Sequence, residues 1–259
     1  MPFLIFVTSA DSSCPLDRVD YTSLSQQALM EMFIENVYTD ENFVDDAENY
    51  TEIDEWDGLE FNDDGEVTAI DFFQVIGPGI LDFEAIPSTV TYVSLVVCES
   101  ECEVPWDKFS DGLEYFILFE SAFHGTIDLT SLPKNLFVLT CGNCAFSGTL
   151  DFSKLPKNLV LLNLSGNALA GQIDLREIEK TMCELSYEHQ EIEHERVVPR
   201  KDLDFALLLR RNKFEGDVRV KALDLVGDYG QFGSNECRVM VDENGRKREI
   251  RGQDGVWWE

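Results

Sequence analysis

The chain of 259 residues carries 50 acidic and 20 basic side chains, which gives a formal net charge of −30, while its apolar share of 44% is ordinary. No Lys, Arg or His occurs between Arg18 and Lys108, so the N-terminal half cannot neutralise phosphates and is not expected to bind nucleic acid or an anionic membrane surface. No run of about 18 apolar residues is present, so no transmembrane helix is predicted. The charge favours a basic partner or simple solubility.

The first element expected is a helix. Residues 1–21 show no periodicity, and Met1–Val7 is too short and too poor in basic residues for a secretion signal. Thr22 or Ser23 can cap a helix that runs to about Tyr38. Its apolar stripe consists of Leu29, Met30, Phe33, Ile34 and Val37. Such a short helix is marginal alone, so we expect it to pack against the structure that follows.

One unit recurs in the middle of the chain. Leu113–Asn135 and Leu136–Asn158 both end in Leu-Pro-Lys-Asn, and a third copy begins at Leu159. The copies start 23 residues apart, a spacing that indicates a repeat architecture. Their apolar residues fall at positions 1, 4, 6, 9, 11, 15, 17 and 20. In the third copy these positions hold Leu159, Leu162, Leu164, Asn167, Leu169, Ile173, Leu175 and Ile178.

This pattern resembles the leucine-rich repeat L-x-x-L-x-L-x-x-N/C-x-L. The run from Asn167 to Ile173 resembles the plant-type subclass, which is shared by protist proteins with L-P-x-N-L spacers. The resemblance implies an α/β solenoid in which each repeat contributes one short parallel β-strand to the concave side of a curved horseshoe. Turn-rich or 3₁₀ segments are expected on the convex side.

The repeat register extends in both directions from these copies. Earlier units begin at Val67 and Val90, and the pattern recovers at Leu207 after a charged stretch. A shortened, degenerate unit from Met182 is expected between the third copy and Leu207, which makes about seven units. After Leu223 the register stops.

Three regions are therefore expected. Residues 1–66 form a leader, a helix and a capping motif, 67–223 form the solenoid, and 224–259 form a C-terminal cap and tail. Within the last region, 239–250 reads as a hairpin with Asn244-Gly245 at its turn. Trp257-Trp258 either packs beneath this cap or anchors a partner.

The segment before the first repeat resembles the N-terminal cap of plant-type repeats. Trp56–Phe61 precedes Gly65–Phe72, where the family reads C-x-W-x-G-V-x-C and then G-x-V-x-x-L-x-L. Asp54 and Phe61 replace the two cysteines, so the disulfide of that cap cannot form. This departure favours a reducing, intracellular and cytoplasmic location.

An alternative function comes from the same region. Glu60, Asn62, Asp64, Gly65 and Asp71 fall at spacings that resemble an EF-hand loop, which surrounds calcium with oxygen atoms. The loop at 60–71 departs from the motif at its first and last places. The alternative is a calcium-responsive binding protein, and the competing interpretation is a polar turn.

Other polar clusters have structural explanations. Cys98-x-x-x-Cys102 and Cys141-x-x-Cys144 suggest zinc, but the register assigns these thiols to structural positions. Asp residues at position 16 are expected to cap turns, and they are Asp82, Asp128, Asp151 and Asp174. The three histidines, His124, His189 and His194, form no triad or zinc motif. We therefore predict no catalytic residue, no metal ligand and no cofactor.

The outward positions of the predicted strands are unusually apolar. Because equivalent residues of neighbouring strands lie side by side, they predict a continuous apolar patch on the concave face, a feature typical of protein-binding sites. The alternative is that flanking segments fold over this face. The predicted partner-binding residues are Phe73, Tyr92, Tyr115, Ile117, Phe119, Val138 and Leu161.

These observations predict a non-enzymatic scaffold or assembly subunit that grips a protein partner. Asp71, Glu114 and Glu120 at the rim favour a basic partner. If the patch is exposed, replacing Tyr115 and Phe119 with Ala should abolish binding and leave thermal stability nearly unchanged.

Overall fold

The computed structural model of the chain describes residues 20–39, 42–178, 205–226 and 232–250, together with the backbone of 182–183, 190–193 and 196–199. These residues form one α-helix, α1 (Gln26–Ile34), several short 3₁₀ segments and a series of short strands. No helix within them is long and apolar enough to cross a bilayer.

The strands of this part of the chain follow in order. They are β1 (Asn36–Thr39), β2 (Leu59–Phe61), β3 (Val67–Phe73), β4 (Ile76–Ile80), β5 (Tyr92–Val96), β6 (Tyr115–Phe119), β7 (His124–Thr126), β8 (Val138–Gly142), β9 (Ala145–Gly148), β10 (Leu161–Asn163), β11 (Ala168–Gly171), β12 (Asp174–Leu175), β13 (Met182–Cys183), β14 (Gln190–Glu193), β15 (Arg196–Pro199), β16 (Phe205–Leu208), β17 (Lys213–Phe214), β18 (Val218–Val220), β19 (Val239–Asp242) and β20 (Lys247–Glu249). The 3₁₀ segments are Tyr21–Ser23, Ile53–Glu55, Phe83–Ala85, Phe152–Lys154 and Leu223–Leu225.

Eight strands form the main sheet, in the order β13-β16-β10-β8-β6-β5-β3-β2. The strands from β3 to β16 run parallel, one from each turn of a solenoid of six turns. The residues paired across them at position 3 are Ala69, Tyr92, Tyr115, Val138, Leu161 and Ala206. All but the last are 23 residues apart, so one repeat makes one turn of the coil.

The last step of the main sheet corrects one sequence prediction. Strand β10 pairs directly with β16, and β13 pairs with the far side of β16. The degenerate unit from Met182 therefore does not lie between them, and the prediction of seven successive units is wrong there. The intervening chain pairs with itself instead, because β14 and β15 form an antiparallel hairpin.

Two smaller sheets complete the walls of the coil. The second sheet has the parallel order β17-β11-β9-β7, and residue Glu103 bridges to His124 in β7. The third sheet has the order β12-β18-β19-β20. The apolar side chains that point between the sheets form one continuous core.

A column of polar side chains at position 9 links neighbouring turns inside this core. The amide nitrogen of Asn212 donates to the Leu164 and Leu209 carbonyls at 2.9 and 3.1 Å, and its oxygen accepts from the Leu169 amide. Asn235 repeats the arrangement, with its amide nitrogen 2.8 Å from the Leu209 carbonyl. The register therefore continues past Leu223, contrary to the sequence prediction.

Position 8 forms a second column, on the edge where each main-sheet strand ends. Its residues adopt left-handed backbone angles, and each amide donates to a carbonyl of the next turn, as from Val97 to Phe119 at 2.9 Å. Val97 has φ 56°, which is strained for a β-branched residue. The other members are Gln74, Glu120, Asn143, Gly166 and Arg211.

Helix α1 is shorter than predicted. Its N-cap is Ser25, whose hydroxyl accepts from the Ala28 amide, and the helix ends at Ile34. The following residues form β1 and pair antiparallel with β4, because this pairing satisfies their backbone and suits the β-branched Val37. The helix packs on the first turn, where the rings of Phe33 and Phe83 lie 6.0 Å apart.

The C-terminal hairpin is formed by β19 and β20. The buried Asp242 carboxylate holds its turn by accepting from the Asn244 and Arg246 amides and from the Arg246 guanidinium at 2.6 Å. The hairpin extends the third sheet, since β19 runs parallel to β18, and it does not adjoin the edge of the main sheet. Trp257-Trp258 lies outside the described residues.

Candidate protein-binding surface

The face of the main sheet that points away from the core, called here the outer face, contains the predicted partner-binding residues. The position-3 row is buried, with Tyr115 only 6% and Val138 only 2% exposed. It forms a second apolar cluster, separate from the core, with Ile117, Phe137 and Leu208 packed against it. The prediction that this row is exposed is therefore wrong for Tyr92, Tyr115, Val138 and Leu161.

Aromatic packing strengthens this second cluster. The rings of Tyr92 and Tyr115 lie 5.7 Å apart, and Tyr115 meets Phe137 edge-on at the same separation. Because Tyr115 is buried, its replacement with Ala is now expected to lower stability rather than leave it unchanged.

The remaining predicted residues form a short accessible strip. Phe73 is 59% exposed, and Ile117 and Phe119 are half-buried. The half-buried Val96 pairs in register with both Phe73 and Phe119 at position 7, so these side chains lie side by side. We call Phe73, Val96, Ile117 and Phe119 the apolar strip.

The strip ends at the fourth turn because of a glycine. A Cβ atom on Gly142 would lie 2.8 Å from the ring of Phe119, so only glycine leaves room for the ring to cover that strand. The following position-7 residues are the polar Ser165 and Arg210. The apolar strip is therefore confined to the first three turns.

Carboxylates border the apolar strip. Glu120 follows Phe119 and is exposed, while Asp71 and Glu114 are half-buried. Asp71 lies at position 5 of β3, opposite Ser94 of the next strand. Since residues 19–107 contain no basic side chain, the potential here is negative.

The calcium interpretation of residues 60–71 is wrong. Strands β2 and β3 form an antiparallel hairpin with Asn62–Glu66 at its turn, so Asp71 lies inside β3. The Asn62 side chain accepts from the Asp64 and Glu66 amides and thereby closes the turn. An EF-hand needs one contiguous loop around the ion, and this hairpin cannot supply it.

The cysteines occupy structural positions. Cys98 and Cys144 lie at position 9, where the Cys144 thiol approaches the Leu118 carbonyl, and Cys141 points into the core. Burial raises the pKa of Cys141 well above its usual value and raises that of Cys144 to about 11. Such thiols are poor nucleophiles and poor metal ligands. Within the described part of the chain, no group of three or more metal-binding side chains comes together.

The position-16 aspartates cap turns, as predicted. Each carboxylate accepts from the amide two residues later, as in the 2.9 Å bond from Ser153 to Asp151. The same bond occurs at Asp82, Asp128 and Asp174. Among the histidines, His124 is half-buried in β7, and His189 and His194 lie outside the described residues.

A groove beside the second sheet was not predicted. It lies between β4 and the segments 98–101 and 120–122, with a volume of about 740 Å³. Tyr38 and Ile80, both prominently exposed, stand on the adjoining strands β1 and β4. The alternation of exposed Glu and buried residues from Glu99 to Val104 was a period-two signal that could have indicated this surface.

No protein-family model matches the chain, and no curated protein matches it in sequence. Solved structures do match its fold. A pollen receptor kinase 3 structure is similar with a TM-score of 0.56 and 16% identity, covering 82% of this chain and 95% of the other. The leucine-rich repeat ectodomain of the Arabidopsis thaliana receptor kinase GASSHO1/SCHENGEN3 has a TM-score of 0.55 and 17% identity, covering 84% of this chain and 24% of the other. The chain therefore has the fold of a leucine-rich repeat solenoid.

Proposed function

We propose that this protein is a non-enzymatic interaction module, a scaffold or assembly subunit, that binds a protein partner on the apolar strip. The observation that carries the proposal is the accessibility of Phe73 and its neighbours on three paired strands. A sheet face in contact with water alone is expected to carry polar residues at alternate positions. Aromatic side chains held by a rigid sheet are efficient anchors because they lose little entropy on binding.

The fold is compatible with this role. The GASSHO1/SCHENGEN3 ectodomain is described in complex with Casparian strip integrity factor 2. Because fold alone does not define function, the argument rests on the strip itself. We further propose that the repeats belong to the plant-type subclass and that the outer face is the concave side of a horseshoe.

The charge around the strip supports a basic partner. Glu120, Asp71 and Glu114 border it, and the N-terminal half lacks basic side chains. Complementary charges at an interface rim mainly accelerate association and select the partner. Binding is therefore expected to weaken as the salt concentration rises.

We also propose an intracellular location. The described cysteines are all free, and Asp54 and Phe61 stand where the family's cap has cysteines. Alkylation of the protein from its native source after denaturation, without reductant, should label every cysteine. Unlabelled cysteines that become reactive only after reduction would contradict this location.

The binding proposal is tested with the double variant Phe73→Ala/Phe119→Ala. Affinity purification from the native source, read by mass spectrometry, should identify proteins retained by the wild type and lost from the double variant. Phe73 is largely exposed, so the variant should remain folded.

The matched control is Leu208→Ala, which removes a half-buried side chain from the outer face in the sixth turn. The control should retain the same proteins as the wild type. Equal loss from both variants would show that a general disturbance of the sheet, and not the apolar strip, explains the result. Unchanged retention by the double variant would also overturn the proposal.

A further inference from the structure

The groove beside the second sheet has one apolar wall and one acidic wall. Pro78 and Ile80 of β4 form the apolar wall, and Ile80 is 62% exposed. Glu99, Glu101 and Glu120 form the acidic wall. An exposed isoleucine beside carboxylates is an amphipathic surface, which few residues of a stable coil require for folding alone.

The backbone fixes the direction of these carboxylates. The Glu99 and Glu101 amides donate to the Ile76 and Gly79 carbonyls at 3.1 and 3.2 Å, so the segment runs along β4 as an extended chain. Ser100, between them, is fully buried and donates its hydroxyl to the Gly77 carbonyl. Side chains alternate along an extended chain, so both glutamates face solvent about 7 Å apart.

Glu120 reaches the groove from the next turn. It occupies the left-handed position 8, and its amide donates to the Gly142 carbonyl at 3.0 Å. Three carboxylates on two turns are thus held by backbone hydrogen bonds. Within the described residues, no basic side chain pairs with any of them, and the closest basic residue in sequence, Lys108, pairs with Glu84 at 3.8 Å.

The apolar wall continues onto β1. Thr39 and Val37 pair with Ile76 and Gly79, so Tyr38 lies alongside Gly77, where an added Cβ would approach the tyrosine. Tyr38 is 74% exposed. The large apolar side chains that are prominently exposed in the described residues are Tyr38, Phe73 and Ile80, all on or beside the first turn.

We propose that this groove binds an extended basic segment of a partner protein, in which Arg or Lys alternates with apolar residues. The cations would meet Glu99, Glu101 and Glu120, and the apolar side chains would lie against Ile80 and Pro78. Charge complementarity selects this occupant, since residues 19–107 contain no cation and an acidic or neutral segment would leave the carboxylates unpaired. The groove is a different surface from the apolar strip and does not depend on it.

The probe is a fluorescently labelled, end-blocked peptide Arg-Leu-Arg-Leu-Arg, measured by anisotropy against the full chain at about 0.15 M salt, where distant charges are screened. We expect Glu99→Lys/Glu101→Lys to weaken binding about tenfold or more. The control Glu215→Lys/Asp217→Lys changes the net charge equally, at exposed positions with the same spacing in the sixth turn, and should change the affinity less than about twofold. If both pairs weaken binding equally, the peptide senses only net charge and the proposal fails.

Two further arms separate the walls and the surfaces. Ile80→Ser, or a peptide with Ser in place of Leu, should weaken binding severalfold, and an unchanged affinity would contradict a role for the apolar wall. Phe73→Ala/Phe119→Ala should leave peptide binding unchanged, so failure here is distinct from failure of the proposed function. If a variant unfolds, Glu99→Gln/Glu101→Gln keeps the side-chain shape and should still weaken binding. No binding of the peptide by the wild type would overturn the proposal.

Discussion

The two halves of the coil share one register but are stabilised by different contacts. In the N-terminal half, aromatic rings pack against one another, as at Phe109–Phe116 with centroids 4.7 Å apart and Trp106–Phe116 at 5.9 Å. In the C-terminal half the core is mainly leucine and isoleucine, as at Leu162, Leu164 and Ile173.

The position-9 column differs between the halves in the same way. The N-terminal turns place Cys98, Ser121 and Cys144 there, and each side chain has a single donor. The C-terminal turns place Asn167, Asn212 and Asn235 there, and each amide bonds an amide and two or more carbonyls. One repeat pattern therefore tolerates two solutions: ring packing with a weak column, or aliphatic packing with a strong column.

The largest expected effect comes from the aromatic core. Phe116→Ala should lower the free energy of unfolding by about 3–5 kcal/mol, because the ring is buried and contacts Phe83, Phe109 and Trp106. Leu162→Ala, at the equivalent position 4 of the fifth turn, is the matched control and should cost less. Urea denaturation measures both, and a larger cost for Leu162→Ala would break the distinction between the halves.

A smaller effect is expected from the position-9 column. Asn212→Ala should cost about 2–3 kcal/mol, because it leaves the Leu169 amide and the Leu164 carbonyl buried without the side chain's hydrogen bonds. Cys144→Ala should cost about 1 kcal/mol or less, since a thiol is a weak donor and its sulfur lies 3.8 Å from the Leu118 carbonyl. Equal costs in urea denaturation would show that both halves depend on the column alike.

The smallest effect is expected at position 8. Val97→Asn should stabilise the protein by about 0.5–1 kcal/mol, because asparagine tolerates the left-handed angle that strains valine. The reverse swap in the fourth turn, Asn143→Val, should destabilise it by a similar amount, since Asn143 has φ 51°. Thermal unfolding measures both, and stabilisation by Asn143→Val would contradict the strain argument.

Much of the fold was predictable because inward positions are restricted to apolar residues of suitable size. The units from Val67 to Leu175 lie in the predicted register. The continuation at Asn235 was also readable, since it lies 23 residues after Asn212, but the less regular residues around it obscured the repeat. The false unit at Met182 shows the converse, since scattered apolar residues fit a register that the chain does not adopt.

The candidate surfaces were less predictable, because outward positions are free to be buried or exposed. Tyr115 and Phe73 have the same aromatic character in sequence, yet one is 6% and the other 59% exposed. Helical spacing included Tyr38 and Val37 in α1, whereas pairing with β4 made them a strand. That pairing joins residues about 40 positions apart, which local periodicity does not report.

The sequence by itself determined the coil, since a side-chain period of 23 leaves parallel stacking as the way to bury every unit's apolar face. It also determined the aspartate caps and the structural role of the cysteines, because both follow from position in the repeat. Only the tertiary structure decided which apolar residues remain accessible and that Glu99, Glu101 and Glu120 share a groove with Ile80. The physical reason is that burial in the core is set by each repeat's own pattern, whereas exposure depends on which neighbouring turns and flanking segments pack beside it.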